Sequence, residues 1–287
     1  MKLCSYQINK VNQYGIMTDE GIIDLTQYIG RDYPTLVSLI RDRGIAVARD
    51  IETNKEPDFE IDKVNFLPLT SEPVNIFCVG VNYADHRSET GRTKEQFPSA
   101  FAKLRESLVG HNEVLVRPSG LLTMDYEAEY AVVIGRQARN IKIEEALDYI
   151  AGYTILNDGT IREYQYNRSV FQGKNFWHTG ACGPCMVVKE DAENWTDTIV
   201  ETRLNGIVMQ NSSVDQLIMD IPFLVSYFSR QTVLNPGDII STGTPAGVGH
   251  RRDPPVYLKP GDVLEMEITG IGILRNTIID ETEVHLY

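Results

Sequence analysis

Cysteine, basic clusters and long apolar runs are all scarce in this chain, and each shortage removes a class of protein. Four cysteines in 287 residues are too few for the stapled framework of a small secreted domain. No apolar run approaches the roughly 18 residues that a membrane-spanning helix needs. The N-terminus, MKLCSYQINKVNQYG, has neither the apolar stretch nor the small-residue cleavage site of a secretory leader, which points to the cytoplasm. Lys plus Arg number 27 against 40 Asp plus Glu, a net charge of −13. With no run of five basic residues to displace counterions, nucleic acid is excluded as a partner. Repeats, low-complexity stretches and heptad arrays are also missing. What remains is 42% hydrophobic and 23% charged, an ordinary globular composition, long enough to bury a full core without disulfides.

Two units are expected: a small N-terminal domain over 1–70 and a larger domain over 71–287. In the first, strands are expected over 2–8, 14–18 and 21–25. A helix is expected near Tyr33–Arg43, with Leu36, Leu39 and Ile40 on one face. The polar stretch Glu52–Asp62, with Pro57, reads as a linker. In the second, strands are expected at Val74–Val79, Tyr130–Ile134, Gly152–Leu156, 238–242 and 263–268. Residues 201–210 carry Asn205-Gly206, a strong hairpin signal. Helices are expected at Ile143–Ile150 and over 214–230, with Pro222 as an interruption or a fresh start. Many strands with few helices and no strict βαβ alternation argue for a β-rich α+β fold.

The chemistry concentrates in a few segments. In DYEAEYAVVIG, Glu127 and Glu129 are two apart and share one strand face. Two like charges there mean either a solvated edge or a cation site. Asn157-Asp158 follows another strand and offers a third carboxylate. Three hard oxygen ligands with no His or Cys pair nearby suit Mg²⁺, Mn²⁺ or Ca²⁺ better than Zn²⁺, and leave positions open for a chelating substrate. In CVGVNYADHRSETG, a helix would put His86 and Glu89 on one face, either as a surface pair or as a base with its orienting carboxylate. Lys174, among the neutral residues of GKNF, is either solvated or functional. STGTPAGVG, residues 241–249, lacks the GK[ST] of a phosphate loop, yet its backbone N–H groups and Thr244 suit an anion. Cys182 and Cys185 form CGPC, but a β-branched strand follows where a thiol redox motif needs a helix.

Together these blocks resemble the fumarylacetoacetate hydrolase family from about Val74 to about Glu281. VGVNYADHRSETG, PSAFAK, DYEAEYAVVIG, EEALDYIAGYTILND, GKNF, TRLNG, DQLIMDIPFLVSYFS, PGDIISTGTPAGVG and LKPGDVLEMEI occur in that order. The resemblance implies a β-rich catalytic fold, a homodimer and a divalent cation, Mg²⁺ or Mn²⁺, on Glu127, Glu129 and Asp158. It implies a water-activating pair, His86 and Glu89, on a lid-like segment. It places Lys174 and Thr244 against a bound keto acid, with Lys103, Arg162 and Gln165 at further pocket positions. Two departures stand out. Glu163 stands where many members have Asp, and Val81 where some acylpyruvate-cleaving members have Arg.

The implied activity is metal-dependent hydrolysis of a C–C bond in a 2,4-dioxo (acylpyruvate-type) acid, in a catabolic role. His86 would deprotonate water, and the hydroxide would attack the distal carbonyl. C3–C4 cleavage would leave a pyruvate-type enolate, stabilised by the cation and Lys174. Within the same family, β-keto acid (oxaloacetate) decarboxylation and enol–keto isomerisation are the alternatives. A non-catalytic, metal-stabilised binding protein and a thiol oxidoreductase complete the set.

Overall fold

In a computed structural model that describes residues 1–70, 72, 74–91 and 97–284, two sheets pack around the strands that carry the acidic residues. The larger is eleven-stranded. Its main path runs Ile22–Asp24, Val11–Met17, Lys2–Ile8, Gly180–Val188, Ile150–Asn157, Ala128–Ile134, Ile239–Ser241, Ile76–Gly80 and Ser99–Ala102. Asn65–Phe66 and Leu108–Val109 pair off that path. The central strands Ala128–Ile134, Ile150–Asn157 and Gly180–Val188 are buried along their whole length. They read as nearly continuous apolar runs because both faces of the sheet are covered. One face packs on the five-stranded second sheet, where Val200, Leu264, Met266 and Leu274 share a core with Tyr130 and Val132. The other packs Ala131 and Val133 with Leu36, Leu39 and Ile40 of the helix Leu36–Arg41. In the second sheet, Val263–Ile268 alternates buried with half-buried positions, as one covered face requires.

The β-rich α+β expectation holds. The first 70 residues, however, do not make a sheet of their own. Lys2–Ile8 extends the large sheet by pairing with Gly180–Val188 through Lys2↔Val187 and Leu3↔Met186. Ser71, where the sequence reading begins its second unit, lies outside the described residues, and the division there stays our proposal. Part of the expected linker is helical, since Ile45–Asn54 includes Glu52, Thr53 and Asn54. Its only buried residue is Ala48, so no apolar stripe announced it. The helix expected over 214–230 begins at Ile221. Asp220 caps it by accepting from the Phe223 N–H, and Pro222 sits in its first turn. Asn205 and Gly206 both take positive φ, 52° and 80°, as the tight turn between Ile199–Leu204 and Ile207–Ser213 requires. No described helix is long and apolar enough to cross a membrane.

The structure removes the redox reading of CGPC. Cys182 and Cys185 lie within the strand Gly180–Val188 and belong to cores on opposite faces of the sheet. Burial pushes both thiols up to about 12. A thiol reagent at pH 8 should therefore label no cysteine in the native protein and all four after unfolding. Rapid native labelling of Cys182 or Cys185 would revive the redox role. The folded state raises these two values, so the stability at stake is fully present below about 9, their ordinary value. It falls as pH climbs from about 9 toward 12, because the unfolded chain then loses thiol protons that the folded chain keeps.

Candidate active site

Strand register builds the acidic centre. Ala128 pairs with Asn157, so Asp158, one residue on, falls opposite Glu127 and donates its backbone N–H to the Glu127 carbonyl at 2.9 Å. Glu127 and Glu129 share a face by the two-residue period. One ligand oxygen from each of Glu127, Glu129 and Asp158 lies within 4.8 Å of the others, and all three residues are buried.

Cations and donors surround these groups. Lys174 Nζ lies 2.7 Å from both Glu127 and Asp158. Lys103 Nζ lies 2.9 Å from Asp158, and Arg162 lies 2.7 Å from both Asp125 and Glu127. Glu129 Oε2 accepts from Ser241 Oγ and from the Gly243 N–H. Four carboxylates (Asp125, Glu127, Glu129, Asp158) thus face three cations (Lys103, Lys174, Arg162), a formal balance of −1 with every group ionised. The sequence reading grouped Glu127, Glu129 and Asp158 without the cations that stand against them. Burial opposes ionisation of Glu127, but Lys174 and Arg162 outweigh it and hold the carboxyl at about 2. Burial, then Asp158 and Glu127, push Glu129 well above the carboxylate range. Burial disfavours the charge on Lys174 too, yet Asp158 and Glu127 keep it firmly protonated.

This centre fits a divalent cation. Both carboxylate oxygens of Asp158 are buried, one 2.9 Å from Lys103 Nζ and the other 2.7 Å from Lys174 Nζ. A proton-hungry Glu129 beside two ionised neighbours is the mark of a missing positive charge. The donors are hard oxygens at a charge balance that a 2+ ion reverses to +1, suited to an anionic substrate.

Above the centre, the helix Ala84–Thr90 carries His86 and Glu89. His86 Nδ1 lies 2.8 Å from Glu89 Oε2, and Glu89 Oε1 accepts from the Gly247 N–H at 3.0 Å. Burial raises the Glu89 carboxyl, but His86 and Gly247 N–H outweigh it and set it below its ordinary value. With Glu89 ionised, Nδ1 carries the imidazole proton and Nε2 the lone pair. Asn82 anchors the start of this helix. Its Nδ2 donates to the Met219 and Thr242 carbonyls at 2.9 and 2.8 Å, and its Oδ1 accepts from the Met219 N–H at 2.9 Å. Just before it, Val81 sits at φ 56°, a strained conformation for a β-branched residue and one typical of functional sites.

A cavity with about 560 Å³ of empty space, including its open mouth, joins these parts. His86, Glu127, Arg162, Gln165 and Lys174 line it together with Val81, Tyr166, His250 and Arg251. The helix carrying Lys174 packs tightly on the one carrying Gln165, since a side chain at Gly173 would come within 2.6 Å of the Gln165 nitrogen. Two residues expected to face substrate lie elsewhere. Lys103 is fully buried behind Asp158. Thr244 is engaged in the wall, donating to the Ala128 carbonyl at 2.9 Å and accepting from Gln210 Nε2 at 2.8 Å. Sequence reasoning missed Asp125, which clamps Arg162 and accepts from the Gly249 and His250 N–H groups. It stands two residues before Glu127, at the end of the short strand Met124–Asp125, and that spacing was its available signal. Reasoning from sequence also missed Ser241, His250 and Arg251.

Comparison with known proteins agrees with this architecture. Residues 75–279 match the family model described as fumarylacetoacetate (FAA) hydrolase C-terminal. The chain belongs to the fumarylacetoacetate hydrolase family. A fumarylacetoacetate hydrolase domain-containing protein 2 homolog from Dictyostelium discoideum is 35% identical, with 97% of each chain covered. Oxaloacetate tautomerase YisK from Bacillus subtilis is 34% identical over 92% of this chain and 94% of its own. The fumarylacetoacetate hydrolase of Exiguobacterium antarcticum superposes with TM-score 0.82 at 34% identity, covering 98% of this chain and 100% of that one. Family membership makes the chain a member of an enzyme family and leaves the reaction to its own residues.

Proposed function

We propose that this protein interconverts the enol and keto forms of a short 2-keto acid of the oxaloacetate type. The observation that carries the reading is that His86, paired with Glu89 at 2.8 Å, lines one cavity with Glu127 and Lys174. Glu127, Glu129 and Asp158 would hold a divalent cation, Mg²⁺ or Mn²⁺, which when bound supplies Lewis-acid polarisation of the substrate's carboxylate and 2-oxo group. His86 Nε2, which holds the lone pair, carries the proton between oxygen and C3: it takes the enol O–H proton and delivers it to C3, and in the reverse direction takes the C3 proton and returns it to the oxygen. Glu89 keeps Nδ1–H oriented and offsets the imidazolium charge. Lys174, protonated and fixed between two carboxylates, lends positive charge to the oxygen that becomes negative in the transition state. The name carried by the relative from Bacillus subtilis supports this assignment.

The second reading is C–C hydrolysis of a 2,4-dioxo acid, favoured by the same pair, since a histidine oriented by an ionised carboxylate also deprotonates water. Water then adds across C3–C4, which tautomerisation never does. A cytoplasmic homodimer acting on a small keto acid belongs to either reading. The deciding assay offers the Mg²⁺- or Mn²⁺-loaded protein enol oxaloacetate and a panel of 2,4-dioxo acids, with product identification. Accelerated loss of the enol without CO₂ release or chain cleavage is expected. Cleaved acids from the dioxo substrates would replace this reading with the hydrolytic one.

A further inference from the structure

The tautomerase reading uses the inner wall of the cavity and leaves two basic residues on it unexplained. His250 and Arg251 come from the short turn Gly249–Arg251 and line the same cavity as Glu127 and Lys174. The other two cations there are already engaged, Arg162 by Asp125 and Glu127 and Lys174 by Glu127 and Asp158. The Arg251 backbone N–H donates to the Val248 carbonyl at 3.1 Å, but its side chain makes no hydrogen bond or ion pair with any described residue, in a chain with 40 acidic side chains against 27 basic ones. Its charge still reaches the dyad, since it helps lower the Glu89 carboxyl.

His250 is held rigidly beside it. Its backbone N–H donates to Asp125 at 3.0 Å, its Nδ1 lies 2.7 Å from Tyr257 Oη, and its ring centre is 5.0 Å from that of Tyr166. Nε2 is the ring nitrogen left without a partner among the described residues. An uncommitted guanidinium next to a fixed imidazole suits a carboxylate, which a planar fork binds through two hydrogen bonds.

We propose that Arg251, with His250 beside it, is the subsite for a second, distal carboxylate, so that the substrate is a 2-keto dicarboxylate rather than a 2-keto monoacid. This rests on the proposed function in one respect: the 2-keto acid end must occupy the acidic centre.

The test compares oxaloacetate with pyruvate by titration calorimetry on the Mg²⁺-loaded protein, in the parent, Arg251→Gln, Arg251→Lys and His250→Asn. The parent should bind oxaloacetate at least about 10-fold more tightly than pyruvate. Arg251→Gln should weaken oxaloacetate by about 10- to 100-fold, the span of one charge-assisted hydrogen bond, and pyruvate by less than about 2-fold. Arg251→Lys should fall between, and His250→Asn should lose part of the preference. In turnover, the Arg251→Gln loss should appear mainly in KM. Because Arg251 is exposed and unpaired, an unchanged Tm is expected and confirms folding. An unchanged preference in Arg251→Gln, or equal weakening of both acids, overturns the subsite while the proposed function stands. Failure of the parent to bind either acid with Mg²⁺ present overturns the proposed function, and the subsite with it.

Discussion

Replacing His86 by Ala should lower kcat for enol–keto interconversion by roughly 10²–10⁴-fold, the usual contribution of a positioned acid–base group. KM should move less, because Lys174, Arg162 and the acidic centre remain. Glu89→Gln keeps an acceptor for the Gly247 N–H, now 3.0 Å from Glu89 Oε1, but removes the charge that orients the imidazole. A fall of at least about 10-fold is expected there. The two variants also separate the family's reactions. Decarboxylation of a β-keto acid needs an electron sink but no base, so CO₂ release undiminished in His86→Ala would favour the decarboxylase reading. An unaltered enol–keto rate would remove His86 from the mechanism. A non-catalytic binding protein would show no rate for either variant to lose. Because the helix Ala84–Thr90 also covers the cavity, amide exchange on both variants should accompany the kinetics. A loosened helix would assign the loss to closure and not to proton transfer.

Much of this site was legible in the sequence because its logic is local. The two-residue strand period placed Glu127 with Glu129, and the three-residue helix spacing placed His86 with Glu89. What was not legible depends on which strands pair. Nothing in the sequence alone puts Lys103 against Asp158, residues 55 apart in number, since that contact follows from Leu108–Val109 pairing with Gly180–Val188 while Ile150–Asn157 pairs with that same strand. The charge balance was not legible for the same reason, because three cations arrive from three separate segments. Thr244 shows another long-range contact: its hydroxyl donates to the buried Ala128 carbonyl, as buried polar groups demand, and the loop's sequence carries no sign of that partner. In the N-terminal segment the period-2 pattern gave the strands, but it could not show that Lys2–Ile8 joins the large sheet through a partner about 180 residues away.

Stripping divalent cations with a chelator should abolish turnover, and Mg²⁺ or Mn²⁺ should restore it. The acidic centre sets four carboxylates against three cations, and burial with its ionised neighbours pushes Glu129 well above the carboxylate range. Clustered buried carboxylates favour a cation, and an ion that binds only the folded state should stabilise it. At about 100-fold excess over its Kd the gain is about 2.7 kcal/mol, or a rise in Tm of roughly 5 °C for a chain of this size. Glu129→Gln tests the location. The amide oxygen still accepts from Ser241 and Gly243, which now donate to Glu129 Oε2, and Glu129 has no ion pair to lose. The variant should therefore fold, and it should lose both the cation-dependent Tm rise and the activity. Asp158→Asn is the harsher change, since it leaves Lys103 and Lys174 buried without their shared partner, and a broken buried pair costs about 3–5 kcal/mol. A Tm that rises equally in the parent and Glu129→Gln would move the cation elsewhere, and full activity in a metal-free sample would end the assignment of a metal to this reaction.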